Sequence, residues 1–231
     1  MCAKPKSTPR GAAGKPRGRG KPAYHHGDLR RALLDASVAL IARDGVEALS
    51  LREVAREAGV SPAAPYHHFA SKSELLGAIA GLGFAGLGQA MEQAIAALPD
   101  PEEPLARLSA LGRAYIDFAR AHPTEFRLMF RPALVTRTDL PPGCDPEDSF
   151  ALLLDAVARV ARVVPPGLVT PDALALASWS IVHGAAELLL DGPLATKQGS
   201  LPIAPEQVGP LVVAVLPALL RAAAGNARAA Q

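Results

Sequence analysis

The chain has little of what builds a secreted, sheet-rich or catalytic protein. Only two cysteines occur in 231 residues, Cys2 in the N-terminal tail and Cys144 in a Pro-rich stretch. A disulfide framework is therefore not expected, and a cytoplasmic location is. Aromatic residues make up 4% of the chain, and β-branched residues do not alternate at period two, so strands are not expected. No apolar run approaches the ~18 residues that span a bilayer, and no membrane partner is expected. The basic N-terminus lacks the apolar core of a secretory signal. There is no Gly-x-Ser-x-Gly elbow, no phosphate-binding glycine loop and no cluster at metal-ligand spacing. His67 and His68 have no carboxylate partner at helical spacing. No catalytic residue, metal site or cofactor is expected.

What the chain does have is alanine and leucine at helical spacing. The composition is 49% hydrophobic, and the predicted fold class is all-α. Charge is distributed unevenly. Residues 1–72 hold 13 Lys and Arg against 6 Asp and Glu, while the remainder holds 11 against 16. A basic front of this kind fits a polyanionic partner, although seven of its positive charges lie in residues 1–23 and also fit a solvated tail. That tail has no acid and no aromatic residue, so it reads as a disordered basic arm.

The chain is organised around Ser50–Lys72. Leu29, Leu33, Ala36 and Leu40 mark one face of a preceding helix over about 27–44, closed by Gly45. Ser50 with Glu53, and Ser71 with Glu74, have capping-box spacing. Ser61 followed by Pro62 supplies a cap and a proline at the first helical position. The predicted order is a helix over Leu51–Ala58, a turn at Gly59 and a short helix over Pro62–Phe69, which is a helix-turn-helix that reads DNA. Phe69 anchors the short helix. Ser50, Arg52, Ser61, Ala63, Ala64, Tyr66, His67, His68 and Lys72 are the expected DNA-facing residues. Ala63 and Ala64 allow close backbone approach, and Arg52 and Lys72 suit phosphates. Pro65, at the fourth helical position, predicts a tight or 3₁₀-like start.

The run from Tyr24 to Leu76, with Gly59-Val60-Ser61, Tyr66-His67-His68-Phe69 and Lys72, resembles the N-terminal domain of the TetR family of bacterial transcriptional regulators. Pro65 departs from the family pattern, in which an aliphatic residue is usual. YIDFARAHPTEFRLMF at 115–130, together with Trp179, His183 and Gly184, is similar to a family subgroup named for a Trp-His-Gly signature. The resemblance implies a DNA-binding domain over 24–72 and a ligand-binding and dimerisation domain over 73–231. It also implies a homodimer on a palindromic operator in double-stranded DNA, and a small-molecule effector that releases it.

The second half reads as helices over about 71–97, 104–121, 123–130, 147–164, 171–191 and 205–224, the last kinked at Pro217. Gly77, Gly81, Gly83, Gly86 and Gly88 inside the 71–97 helix point to close packing or to a compliant connector. The 171–191 and 205–224 helices are apolar around most of their circumference, which requires burial on all sides and fits a second subunit. Tyr115, Phe118, Phe126, Met129, Phe130, Phe150, Trp179 and His183 are the candidate ligand contacts. Singly each reads as a core side chain, and together they fit an apolar pocket with a few polar tips. A repressor is the leading functional expectation. An activator, a ligand-independent regulator, and a helical binding protein or enzyme with a vestigial helix-turn-helix are the alternatives.

Overall fold

A computed structural model describes residues 26–192, 194 and 203–229. The expected arm over residues 1–23 lies outside the described residues. These form eight helices and no strand: α1 (His26–Asp44), α2 (Leu51–Glu57), α3 (Lys72–Ala96), α4 (Pro104–Ala121), α5 (Pro123–Met129), α6 (Pro146–Val163), α7 (Pro171–Leu190) and α8 (Pro205–Ala229). Two 3₁₀ turns, Ala64–His67 and Arg137–Asp139, complete the order. Five of the helices open on proline, where a missing N–H costs no intrahelical bond. Glu103, Asp145 and Thr170 cap α4, α6 and α7 by accepting from the first free backbone N–H groups. α8 runs through Pro210 and Pro217 and ends at Ala229, beyond the expected 224.

α1, α2 and the start of α3 enclose a small core. Leu33, Leu40, Leu51, Val54, Phe69, Leu75 and Ile79 are all buried there. Gly45 and Gly59 close α1 and α2 at φ +82° and +67°, a region that favours glycine. At Gly59, Val60 N–H donates to the Ala55 carbonyl at 2.9 Å and Gly59 N–H to that of Arg56 at 3.2 Å, so the last carbonyls of α2 are satisfied inside the turn. Leu128 from α5 and Val135 from the following loop belong to this same core. Packing therefore does not break at residue 72. It continues along α3, whose second half (Phe84, Leu87, Met91, Ile95) enters the larger core formed with α4, α6 and α7.

The expected short helix over Pro62–Phe69 is corrected to the 3₁₀ turn Ala64–His67. Pro65 has no N–H to offer the Ser61 carbonyl, which accepts from Ala64 at 3.0 Å instead; Tyr66 N–H likewise donates to Ala63 at 3.2 Å and His68 N–H to Pro65 at 2.9 Å. The bonds span three residues rather than four, which is the 3₁₀ pattern. Ser61 contributes this carbonyl and makes no side-chain cap.

The expectation about membrane-length segments is also corrected. α3, α7 and Pro205–Gly225 of α8 are long and apolar enough to cross a membrane by length and composition. Mean hydropathy tolerates the glycines and serines that interrupt a continuous run. Of these apolar stretches, 61% is buried within the protein in α3, 33% in α7 and 22% in α8.

Close packing accounts for four of the five α3 glycines. A Cβ on Gly77 would lie 2.0 Å from the Asp139 carbonyl oxygen, and one on Gly81 2.8 Å from Pro141. Met129 and Phe118 crowd Gly83 and Gly86 in the same way, at 2.6 and 3.0 Å, whereas nothing lies within 4 Å at Gly88. Gly77→Ala is expected to destabilise the protein by about 1–3 kcal/mol, because backbone cannot retreat as a flexible side chain can. Gly88→Ala is expected to stabilise it by about 0.8–1 kcal/mol through helix propensity alone. Urea unfolding of the two variants checks this, and effects of the same sign would contradict it.

Candidate DNA-binding surface and ligand cavity

Ser50 caps α2 by accepting from the Glu53 N–H at 3.2 Å. The Glu53 carboxylate does not return to the cap; it pairs with Arg56. That leaves Arg52, one turn away and exposed, with no ion-pair partner among the described residues. At the end of α1, Arg43 bridges Asp44 and Glu57 and fixes α1 against α2. Those two carboxylates hold its guanidinium well above the ordinary arginine value, the Asp44 hydrogen bond first.

Ser61, Ala63, Tyr66 and His67 are exposed, and Ala64 is half-buried. Tyr66 is 52% exposed, a large side chain left half in solvent. His68 departs from the expected DNA face. It is half-buried, packs beside Phe69 and borders the groove formed with Arg30, Leu34, Phe118 and His122. Arg30, which the sequence did not single out, lies 5.3 Å over the Phe69 ring and steadies the same turn. Lys72 occupies the first position of α3, where a positive charge opposes the helix dipole. Its ammonium reaches the Glu47 carbonyl at 3.4 Å, beside the start of α2. A cation placed against the local field in this way is suited to a phosphate.

The second site is a partly open cavity of about 460 Å³ between α3, α4, α5, α6, α7 and α8. Tyr115, Met129, Phe130, Phe150 and Trp179 line it, and Phe84 joins them. Three of the expected contacts stand elsewhere. Phe126 is fully buried in the core. Phe118 faces the opposite side of α4, stacked on His122 at 4.8 Å between ring centroids. His183 stands behind the wall, its Nδ1 2.8 Å from the Tyr115 hydroxyl and its ring 4.8 Å from Phe130. Burial pushes the Tyr115 hydroxyl up and the His183 imidazole down, the latter opposed by Glu187. Each satisfies the other through this hydrogen bond.

Sequence reasoning missed Ser178, which lines the cavity at 6% exposure. The signal was present: Leu174, Ser178, Val182 and Ala185 recur on the buried face of α7, while Ser180 falls outside it. It also missed Arg137 at the cavity rim, which pairs with Glu147 at 3.1 Å and Asp145 at 3.3 Å. Two residues further on, Asp139 accepts from the Ser73 hydroxyl at 2.6 Å. The Ser73 bond, then those from Thr136, hold the Asp139 carboxyl below its usual range. Among the described residues no group of three or more His, Cys, Asp or Glu side chains could hold a metal ion.

An exposed helix-turn-helix surface joined by one long helix to a domain with an apolar cavity defines a DNA-binding regulator. Residues 33–79 match the family described as bacterial regulatory proteins, tetR family, and residues 108–209 match the tetracyclin repressor-like C-terminal domain. The chain belongs to the tetR family and is a DNA-binding transcription regulator, not an enzyme. It is 44% identical over 85 residues to the HTH-type transcriptional regulator BetI of Rhizobium meliloti (strain 1021), a match that spans 36% of this chain and 40% of that regulator. It is similar across 88% of its length to a protein of unknown function from Rhodococcus sp. RHA1, at 35% identity and a TM-score of 0.66, covering all of that chain. The fold is also that of AibR in complex with isovaleryl coenzyme A and operator DNA, at 21% identity and a TM-score of 0.57 over 81% of this chain and 97% of AibR.

Arg52→Ala and Lys72→Ala are each expected to weaken DNA binding and to lower the salt slope by about 1. Tyr66→Ala is expected to weaken binding, and His68→Ala to leave the salt slope unchanged. Fluorescence anisotropy on a bound genomic fragment at several salt concentrations reads all four. A reduced slope for His68→Ala alone would reverse the assignment.

Proposed function

We propose that the protein is a cytoplasmic, homodimeric repressor that binds a palindromic operator and is released by a small apolar ligand in the C-terminal cavity. The observation that carries this reading is the short path from cavity to DNA surface. Arg137 borders the cavity, and Asp139, two residues on, holds Ser73, the neighbour of Lys72. Its backbone also presses on Gly77. A ligand that displaces Arg137 therefore moves the segment against which the start of α3 is seated.

The dimer reading rests on an apolar stripe. Leu211, Val215 and Leu219 recur at i, i+4 and i+8 along α8 and are more than half exposed; Leu176, Ile181 and Leu188 of α7 are exposed as well. Such a surface on two adjacent helices fits the same two helices of a second copy, which together make a four-helix bundle. Two recognition surfaces would then meet successive major grooves about 34–36 Å apart. Ligand and DNA would oppose each other by about 1–3 kcal/mol, or roughly 5–150-fold.

Selection of bound fragments from genomic DNA by the purified protein is the test. The expected yield is an inverted repeat with half-sites one helical turn apart, occupied by two copies, and a neighbouring gene whose product or substrate supplies effectors to try. Asp139→Ala is then expected to bind effector normally while losing most of the effector's release of DNA. Single half-sites, or undiminished release in Asp139→Ala, would count against the dimer and the path respectively.

A further inference from the structure

We infer that Arg30 is a positioning residue for sequence-specific DNA binding: it holds the DNA-facing turn in place through the Phe69 ring and contacts no phosphate itself. This rests on the reading of Ala63, Tyr66 and His67 as DNA-facing and adds a residue that acts on them from behind.

The turn has few anchors. Within the 3₁₀ segment Ala64–His67 only Pro65 is buried, and the next anchor is Phe69, at 1% exposure. The His68 and Phe69 N–H groups both donate to the Pro65 carbonyl at 2.9 Å, so these two buried side chains belong to one tied unit. Where that unit sits sets where Ala63, Tyr66 and His67 stand. The Arg30 guanidinium, carried by α1, lies 5.3 Å from the centroid of the Phe69 ring, within reach of a cation–π attraction. Arg30 thereby links α1 to the turn. It has no carboxylate partner among the described residues, whereas the adjacent Arg31 faces Asp35 at 3.8 Å.

Its placement separates it from the residues suited to phosphate. Arg30 and the half-buried His68 border the groove that runs toward Phe118 and His122 of α4, and Arg52, Ala63, Tyr66, His67 and Lys72 do not. Arg52 and Lys72 also stand on helices with caps of their own. Ser50 accepts from the Glu53 N–H at 3.2 Å, and Ser71 from the Glu74 N–H at 3.1 Å. A small shift of the turn therefore leaves those two cations in place. Attraction between point charges falls off slowly with distance, whereas hydrogen bonds to base edges weaken steeply with distance and angle. Loss of the Arg30 contact is then felt in sequence-specific binding and not in general affinity for DNA.

The test is fluorescence anisotropy of the full chain on a genomic fragment selected by the protein and on a scrambled fragment of equal length, at several salt concentrations. Arg30→Met keeps the length of the stem and removes the charge. It is expected to weaken binding to the selected fragment about 2- to 5-fold, the range of an exposed cation–π contact. Affinity for the scrambled fragment, and the salt slope on both, are expected to stay as in the wild type. Arg30→Lys keeps a cation over the ring and is expected to recover most of the loss. An equal loss on both fragments, with a salt slope lower by about 1, would make Arg30 a phosphate contact and overturn the inference. Undiminished binding by Arg30→Met, or an Arg30→Lys as weak as Arg30→Met, would overturn it as well. Tyr66→Ala on the same fragments separates the two readings. If it weakens the selected complex while Arg30→Met does not, the turn remains the DNA surface and only the role of Arg30 falls. If neither weakens it, both fall.

Discussion

One helix belongs to two cores, and most of the structure follows from that. α3 begins beneath the DNA-binding turn, where Leu75, Leu76 and Ile79 close the small core, and ends among Phe84, Leu87 and Met91 in the larger one. Leu128 and Val135 cross in the other direction, from the C-terminal domain into the small core. The small core is not complete without residues of the C-terminal part of the chain. The constraint is tightest at Gly77, where the Asp139 backbone occupies the space a side chain would need while its carboxylate binds Ser73. Backbone contact in a packed interface yields by discrete rearrangement rather than smooth deformation, which suits a switch between two arrangements.

The DNA-facing surface is small and stiff for a related reason. Pro65 removes the donor that an α-helical turn would use, and the segment settles into four residues of 3₁₀ helix pinned by Phe69 and by Arg30 above it. His68 is half-buried, as are Ala64 and Lys72, while Ser50, Arg52, Ser61, Ala63, Tyr66 and His67 are exposed. Arg52 and the neighbouring Lys72 are suited to phosphate, and Ala63 has no polar side chain. Sequence preference in such a surface comes from backbone approach, contacts to thymine methyl groups and the shape of the DNA more than from an array of base-reading side chains.

Local features were legible in the sequence. The caps at Ser50 and Ser71, the glycine turns at 45 and 59 and the proline-led starts of α4, α5, α7 and α8 depend on residues within four positions of one another, and they stand where spacing put them, whereas the start expected at Ser61-Pro62 does not. The cavity was legible only in outline. Tyr115, Met129, Phe130, Phe150 and Trp179 line it, but Phe118 and Phe126 are just as aromatic and point elsewhere, because one helix turn decides which side of α4 or α5 a ring occupies. The contact between Ser73 and Asp139 spans 66 positions. It was not legible at all, since nothing in either residue's neighbourhood names the other. The orientation of His68 likewise depends on how α1 and α4 pack around it.

The most direct test of the shared helix is amide hydrogen exchange through a series of low urea concentrations, followed in peptides from α1–α2 and from α6–α7. If α3 makes the two domains one cooperative unit, both sets lose protection with the same dependence on urea. Earlier loss of protection in α1–α2, with α6–α7 still protected, would contradict that account and leave the DNA-binding domain an independently opening unit.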